Sequence, residues 1–347
     1  MNKHQLWVAV VLWLSCSVVQ ALDGTLLVTN RSGGSISFFD LSTLTEIARV
    51  PIGPTIPHEV AVSPDGRQAI TAEYGAGQNH GRHLVLIDIE SARVTGRIDL
   101  GPDSRPHTAL FMPDGRHAVA TMQDSDKIAY IDLETMKVIR TYPTGGREGH
   151  MMRLSPDGAR AYVTSRGAEG TLSIIFLEEN RDPVVLHTGL GAEGLEVTPD
   201  GEEIWVADRQ QESVSIIDNE SLQVVERFKA RPYAGRVAID ASGRVVMPNG
   251  GGGGEPVPQY LRLLDRDTRE MVAEVPLRDG EPQYGNFGIL VHDGWAFASD
   301  PYAGTIQMFN LDTLLSDEPE REFISIDHDA PDGMAWSPIR VGVMSRE

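Results

Sequence analysis

Three histidines share one spacing. His58, His107 and His150 each stand six residues before the proline of a Pro-Asp-Gly triplet, at Pro64, Pro113 and Pro156. Glu193 stands six residues before the fourth triplet at Pro199. The same count from the degenerate turns at Ala241, His292 and Pro338 gives Gly235, Asn286 and Asp332. Imidazole and carboxylate donors are good ligands for zinc, copper or nickel. If these positions form a ring, His58, His107 and His150 are candidate metal ligands, with Glu193 or Asp332 completing the shell. Solvated channel lining is the competing reading, since polar side chains facing water need no metal.

Positioning such a ring requires a repeat. The turn prolines, or the residues replacing them, are spaced by 49, 43, 43, 42, 51 and 46 residues. A period of roughly 40–50 residues marks a propeller or solenoid. Each unit reads as four short strands. In the third, Thr108 to Met112 leads through Pro113-Asp114-Gly115 to His117 to Thr121, then Lys127 to Asp132 and Val138 to Thr141. Proline presets the first turn residue, Asp bonds the backbone locally, and Gly takes the positive φ. No stretch carries a helical stripe, so helix should be scarce. The chain opens on strands at Thr25 to Asn30, Ser35 to Asp40 and Glu46 to Ile52. The missing first strand of that unit appears at Gly333 to Ser337. Pairing it into the first unit closes a ring and removes two exposed edges. The expected fold is all-β: a seven-bladed β-propeller of four-stranded antiparallel blades, closed by the C-terminal strand.

Leu27-Val28-Thr29-Asn30, Tyr162-Val163-Thr164-Ser165 and Trp205-Val206-Ala207-Asp208 follow such turns, or would after closure. They resemble the Tyr-Val-Thr-Asn repeat of the YVTN-type seven-bladed propellers of exported bacterial proteins. The resemblance runs through all seven units and is weakest around the fifth and sixth turns. It implies the fold. For function it implies only a range: binding and surface proteins, with relatives among lactonases, lyases, amine dehydrogenases and haem d1 proteins. A fold hosting many chemistries names none of them.

The second strands should end on the face where the first strands begin. This places Arg31, Arg166 and Arg209 around the histidines, with Glu73, Asp208 and Asp300 between them. The charged groups either satisfy one another or leave guanidinium forks for a carboxylate or phosphate ligand. Arg31, Arg166, Arg209 and Glu73 are therefore candidate cofactor- or ligand-binding residues. Two insertions enlarge this face. Tyr74 to Arg82 carries His80, with His83 just beyond, and Gly250 to Tyr260 includes the glycine run Gly250 to Gly254. That run lacks the Gly-Lys-Ser/Thr end of a phosphate loop. Trp205, Trp295 and Trp336 fall on strands and suit packing between blades.

The remaining sequence bounds the setting. Lys3 and His4 precede an apolar run from Leu6 to Leu14, followed by Val19-Gln20-Ala21, the pattern of a secretory signal peptide over residues 1–21. The propeller would then occupy residues 22–347, in the periplasm or outside the cell. A lipid-bearing Cys16 is the lesser alternative, because Trp13-Leu14-Ser15 is a poor lipoprotein box. No later stretch suits a membrane span. With 30 Lys+Arg against 50 Asp+Glu, the net charge of −20 argues against nucleic acid. The only cysteine lies in the leader, which excludes a disulfide framework. No Gly-x-Ser-x-Gly, His-Glu-x-x-His or Cys-x-x-Cys-His occurs. The sequence thus favours an exported binding protein for a metal ion or small ligand. The alternatives are a metal-dependent lactonase or lyase using the same ring, and a protein-interaction scaffold acting through its loops.

Overall fold

Sequence alternation and turn chemistry give seven four-stranded antiparallel sheets in the computed structural model. It describes residues 22–77, 79–167, 169–230, 234–248, 256–277, 288–326 and 329–342. The leader with Cys16, the glycine run and the ring position Asn286 lie outside the described residues. Blade one joins Thr25–Asn30, Ser35–Asp40 and Thr45–Pro51 to the C-terminal strand Pro331–Ser337. Thr25 faces Ser337 and Val28 faces Met334, so the ring closes through the far end of the chain, as the sequence predicts. Blades two to seven follow in chain order. The one helical element among the described residues is a short 3-10 turn at Gln123–Ser125.

Burial explains why the second strands read as apolar runs. Thr25–Asn30 is buried at every position, and Arg160–Ser165 and Glu203–Asp208 are buried after their first residue. Both faces of these strands meet neighbouring blades, so alternation disappears. The fourth strands face outward instead. Arg93–Asp99 and Lys137–Pro143 are mostly exposed apart from one inward residue each, Ile98 and Tyr142. Trp205 is fully buried between blades, while Trp336 on the closing strand stacks against His292 of blade seven at 3.9 Å.

The Pro-Asp-Gly turn joins blades as well as turning the chain. Asp157 accepts hydrogen bonds from Ser155 Oγ at 2.5 Å and from the Ala159 amide at 3.0 Å. Gly158 takes a φ of 74°. A Cβ there would lie 2.7 Å from Cδ of Pro113, the turn proline of blade three. The turn therefore needs glycine for its dihedral and for the approach of the preceding blade.

The repeat threonine has a second joining role. Thr29 donates to the carbonyl of His58 at 3.1 Å, Thr121 to that of His150 at 3.3 Å, and Thr164 to that of Glu193 at 2.6 Å. Each hydroxyl thus fixes the ring residue of the following blade. Thr164→Val keeps the shape but leaves that buried carbonyl with one partner fewer. It should cost about 1–3 kcal/mol, read from the urea midpoint.

Candidate functional site

Three imidazoles from consecutive blades meet at the channel mouth. The rings of His58 and His107 lie 4.8 Å apart between centroids, and those of His107 and His150 lie 3.8 Å apart. His107 and His150 are almost completely buried. A carboxylate closes each end of this arc. His58 Nδ1 is 3.0 Å from Asp332 Oδ2, and His150 Nε2 is 3.2 Å from Glu193 Oε1. Both carboxylates are themselves buried. The strand geometry that sets this up is tight. The Gly333 amide donates to the carbonyl of His58 at 2.9 Å, and a Cβ on Gly333 would lie 2.3 Å from that oxygen.

Arginines surround the arc, as the second-strand ends suggest. Arg31 Nε stands 3.7 Å from Asp332, Arg166 Nε 3.4 Å from Glu193, and Arg209 Nη1 3.8 Å from Glu193. Glu73 behaves differently. It is paired with His83 at 2.9 Å and with Arg97, both on outer strands of its own blade. The neighbouring Tyr74 is the residue that reaches the arc, edge-on to His58 at 4.7 Å and to His107 at 5.1 Å. Adjacent residues of an extended segment point to opposite sides, which separates Glu73 from Tyr74. Asp208 accepts a hydrogen bond from Ser215 at 2.6 Å, and Asp300 from the amides of Tyr302 and Ala303. In the first insertion, Gly75–Ala76 and Asn79–His80 form a two-stranded ribbon whose His80 pairs with Asp124 of blade three.

Arg236 was not anticipated. It follows Gly235, whose ring position carries no side chain, and lies buried beside the arc. Its Nη2 is 2.8 Å from Glu59 Oε1 and 3.8 Å from Asp332 Oδ1, and its Nη1 is 2.9 Å from Met151 Sδ. A cavity of about 160 Å³ lies in the channel here, lined in part by Glu59, Thr108, Met151 and Arg236. The signal available in the sequence was the glycine itself, which leaves space for the next residue.

The electrostatics keep His107 and His150 neutral. Burial lowers His107 well below its usual value, and the charges of neighbouring His150, His58, Arg236 and Arg166 add to the effect. Burial brings His150 down to about 4, against the pull of Glu193 towards the charged form. Burial alone would raise Glu193, but His150, Arg166 and Arg209 outweigh it and hold the carboxyl below its ordinary range. The same contest at Asp332 is won by His58, Arg236 and Arg31. For His150 the unfolded chain binds a proton near 6.5, the folded chain only near 4. Its neutrality therefore costs nothing above pH 6.5, and stability is lost as pH falls from there towards 4. The two depressed carboxyls act in the same direction at lower pH, being stabilising above their unfolded values. The melting temperature should fall on acidification from pH 6.5 to 4, and His150→Gln should flatten that slope.

Among the described residues, no group of three or more His, Cys, Asp and Glu is arranged to hold a metal ion. Glu193 and Asp332, expected as possible ligands, are engaged by histidine and arginine. A carboxylate on one imidazole nitrogen fixes the ring and directs its other nitrogen elsewhere, an arrangement common beside metal-binding histidines. His150 Nδ1 is buried and has no hydrogen-bond partner among the described residues.

Fold and site together define a seven-bladed β-propeller with a histidine arc and an arginine rim at its channel mouth. No family model matches the chain. Protein NirF of Pseudomonas aeruginosa is 25% identical over 245 residues, covering 64% of this chain and 60% of NirF. The match thus spans less than two thirds of that relative's length. Among solved structures, Kuenenia stuttgartiensis hydrazine synthase aligns with a TM-score of 0.64 at 19% identity, over 75% of this chain and 78% of that one. A functionally unknown protein from Desulfotomaculum acetoxidans aligns at 0.71 and 17% identity, over 91% of this chain and all of the other. These structural likenesses establish the fold alone. No helix among the described residues is long and apolar enough to cross a membrane.

Proposed function

We propose that this chain is an exported propeller of the YVTN type that binds a small anionic ligand at its channel mouth. The supporting observation is a charge imbalance. The arginines Arg31, Arg166, Arg209 and Arg236 stand against the carboxylates of Asp332, Glu193 and Glu59. Among the described residues of the arc and its rim, with His107 and His150 neutral, these arginines outnumber these carboxylates, in a chain whose net charge is −20. A focused field of that sign attracts anions despite the acidic remainder. Calorimetric titration with succinate should show binding to the wild type. Binding should be lost in the triple variant Arg31→Gln, Arg166→Gln, Arg209→Gln, and an undiminished affinity in that variant contradicts the reading.

The arc also supports a metal-linked form of the same function. Neutral imidazole is the form that ligates zinc or copper, and the carboxylate-held His58 and His150 suit this use. In this form His58, His107 and His150 take a metal ion, or the metal carried by the ligand, and Glu193 and Asp332 orient the rings. Elemental analysis after exposure to zinc and copper tests it. Retention of metal by the wild type, and its loss in a folded His58→Ala, His107→Ala, His150→Ala variant, is the expected result.

A further inference from the structure

The ends of the histidine arc mirror each other. Running round the mouth, the order is Asp332, His58, His107, His150, Glu193. At one end Arg31 approaches Asp332, and at the other Arg166 approaches Glu193. Both do so through Nε, at 3.7 and 3.4 Å, and both side chains are 40% exposed. Among the described residues neither guanidinium donates a hydrogen bond; each stands only at ion-pair distance from its carboxylate. A part-exposed guanidinium whose N–H groups make no hydrogen bond in the protein keeps its fork for a ligand, the geometry that grips a carboxylate or phosphate with two parallel hydrogen bonds. The forks lie beyond the two ends of an arc whose ring spacings are 4.8 and 3.8 Å.

We infer that the ligand is an elongated dianion, with one anionic group on Arg31, the other on Arg166, and its middle spanning the mouth past His58 and above the buried His107 and His150. This rests on the proposed anion-binding mouth and adds the number and separation of the ligand's charges. A compact anion would engage one fork and leave the other to water. A ligand that spans the arc gains the second contact without a second loss of translational freedom.

Linear dicarboxylates are suitable probes because length and charge vary separately. Suberate carries two carboxylates on a long chain, malonate two on a short one, and octanoate one on a chain of suberate's length. Calorimetry on the full mature chain should rank suberate above both others by roughly tenfold to a hundredfold, the range of one charge-assisted contact. Arg31→Gln and Arg166→Gln should each reduce suberate to the level of octanoate while changing octanoate less. Both side chains are partly exposed and other cations remain beside each carboxylate, so these variants should still unfold cooperatively, with a small drop in melting temperature. Suberate and octanoate binding alike, or either variant weakening both by the same factor, overturns the two-fork inference while the anion-binding mouth stands. Binding of none of the three, together with no binding of succinate, overturns both.

Discussion

Replacing Arg236 with methionine should be among the most damaging single changes in this protein, at about 3–5 kcal/mol. Its guanidinium is buried, with Glu59 at 2.8 Å and Asp332 at 3.8 Å. Burial disfavours the charged arginine, but Glu59, Asp332 and Glu193 reverse this and hold it more firmly protonated than usual. The pair is costly to desolvate and adds little net stability, yet removing one partner strands the other in the interior. Two features identify that mechanism. The deficit should shrink on acidification from pH 7 towards 4.5, as a carboxyl left without its cation takes up a proton. Adding Glu59→Leu should recover part of the loss. A deficit that is independent of pH and not relieved by the second change would point to lost packing instead. Urea midpoints at the two pH values provide the measurement.

The second large effect concerns closure. Ending the chain after residue 330 removes Pro331–Ser337, which pairs with Thr25–Asn30. It also removes Asp332 from the arc and the apolar contacts of Met334 and Ala335. Blade one would then present an open, fully buried-type strand edge, an aggregation hazard. The truncated chain should be recovered mainly as aggregate, without cooperative unfolding. A synthetic peptide of residues 331–342, added during refolding, should restore part of the soluble fraction by strand addition. That peptide includes the segment whose Ile339 and Val341 pack beside blade two. A soluble truncated chain with the parent's melting temperature would show that the ring does not depend on this strand. Gly333→Ala gives a graded form of the same test, because its Cβ would press on the His58 carbonyl. It should reduce stability and ligand affinity together.

Much of the fold was legible because the repeat writes its joints in local chemistry. Pro-Asp-Gly specifies a turn by dihedral preference, and the fourfold recurrence of the triplet sets the period. The early strands lacking a first partner, and the late strand lacking the rest, required closure. Convergence of His58, His107 and His150 followed from equal spacing in equal blades. Relations between blades were less legible. Spacing placed Glu193 and Asp332 in the ring but gave no sign that each would face a histidine. Tyr74 was hidden by a single step along an extended segment, which turned Glu73 towards His83 and Arg97 instead. Arg236 was hidden because the counting fell on Gly235. Its partners Glu59 and Asp332 are distant in sequence and meet it only across the channel.

The central claim is that the histidine arc and its arginines are where this propeller takes up an anionic ligand. Nuclear magnetic resonance of protein with 15N-labelled imidazoles, titrated with suberate, tests it most directly. The resonances of His58, His107 and His150 should move together and saturate at one affinity. His117, which pairs with Asp114 at the turn on the far end of blade three, should stay fixed. Saturable shifts at His117 with an unmoved arc, or no shift at any histidine while calorimetry reports binding, would place the ligand elsewhere and contradict the account.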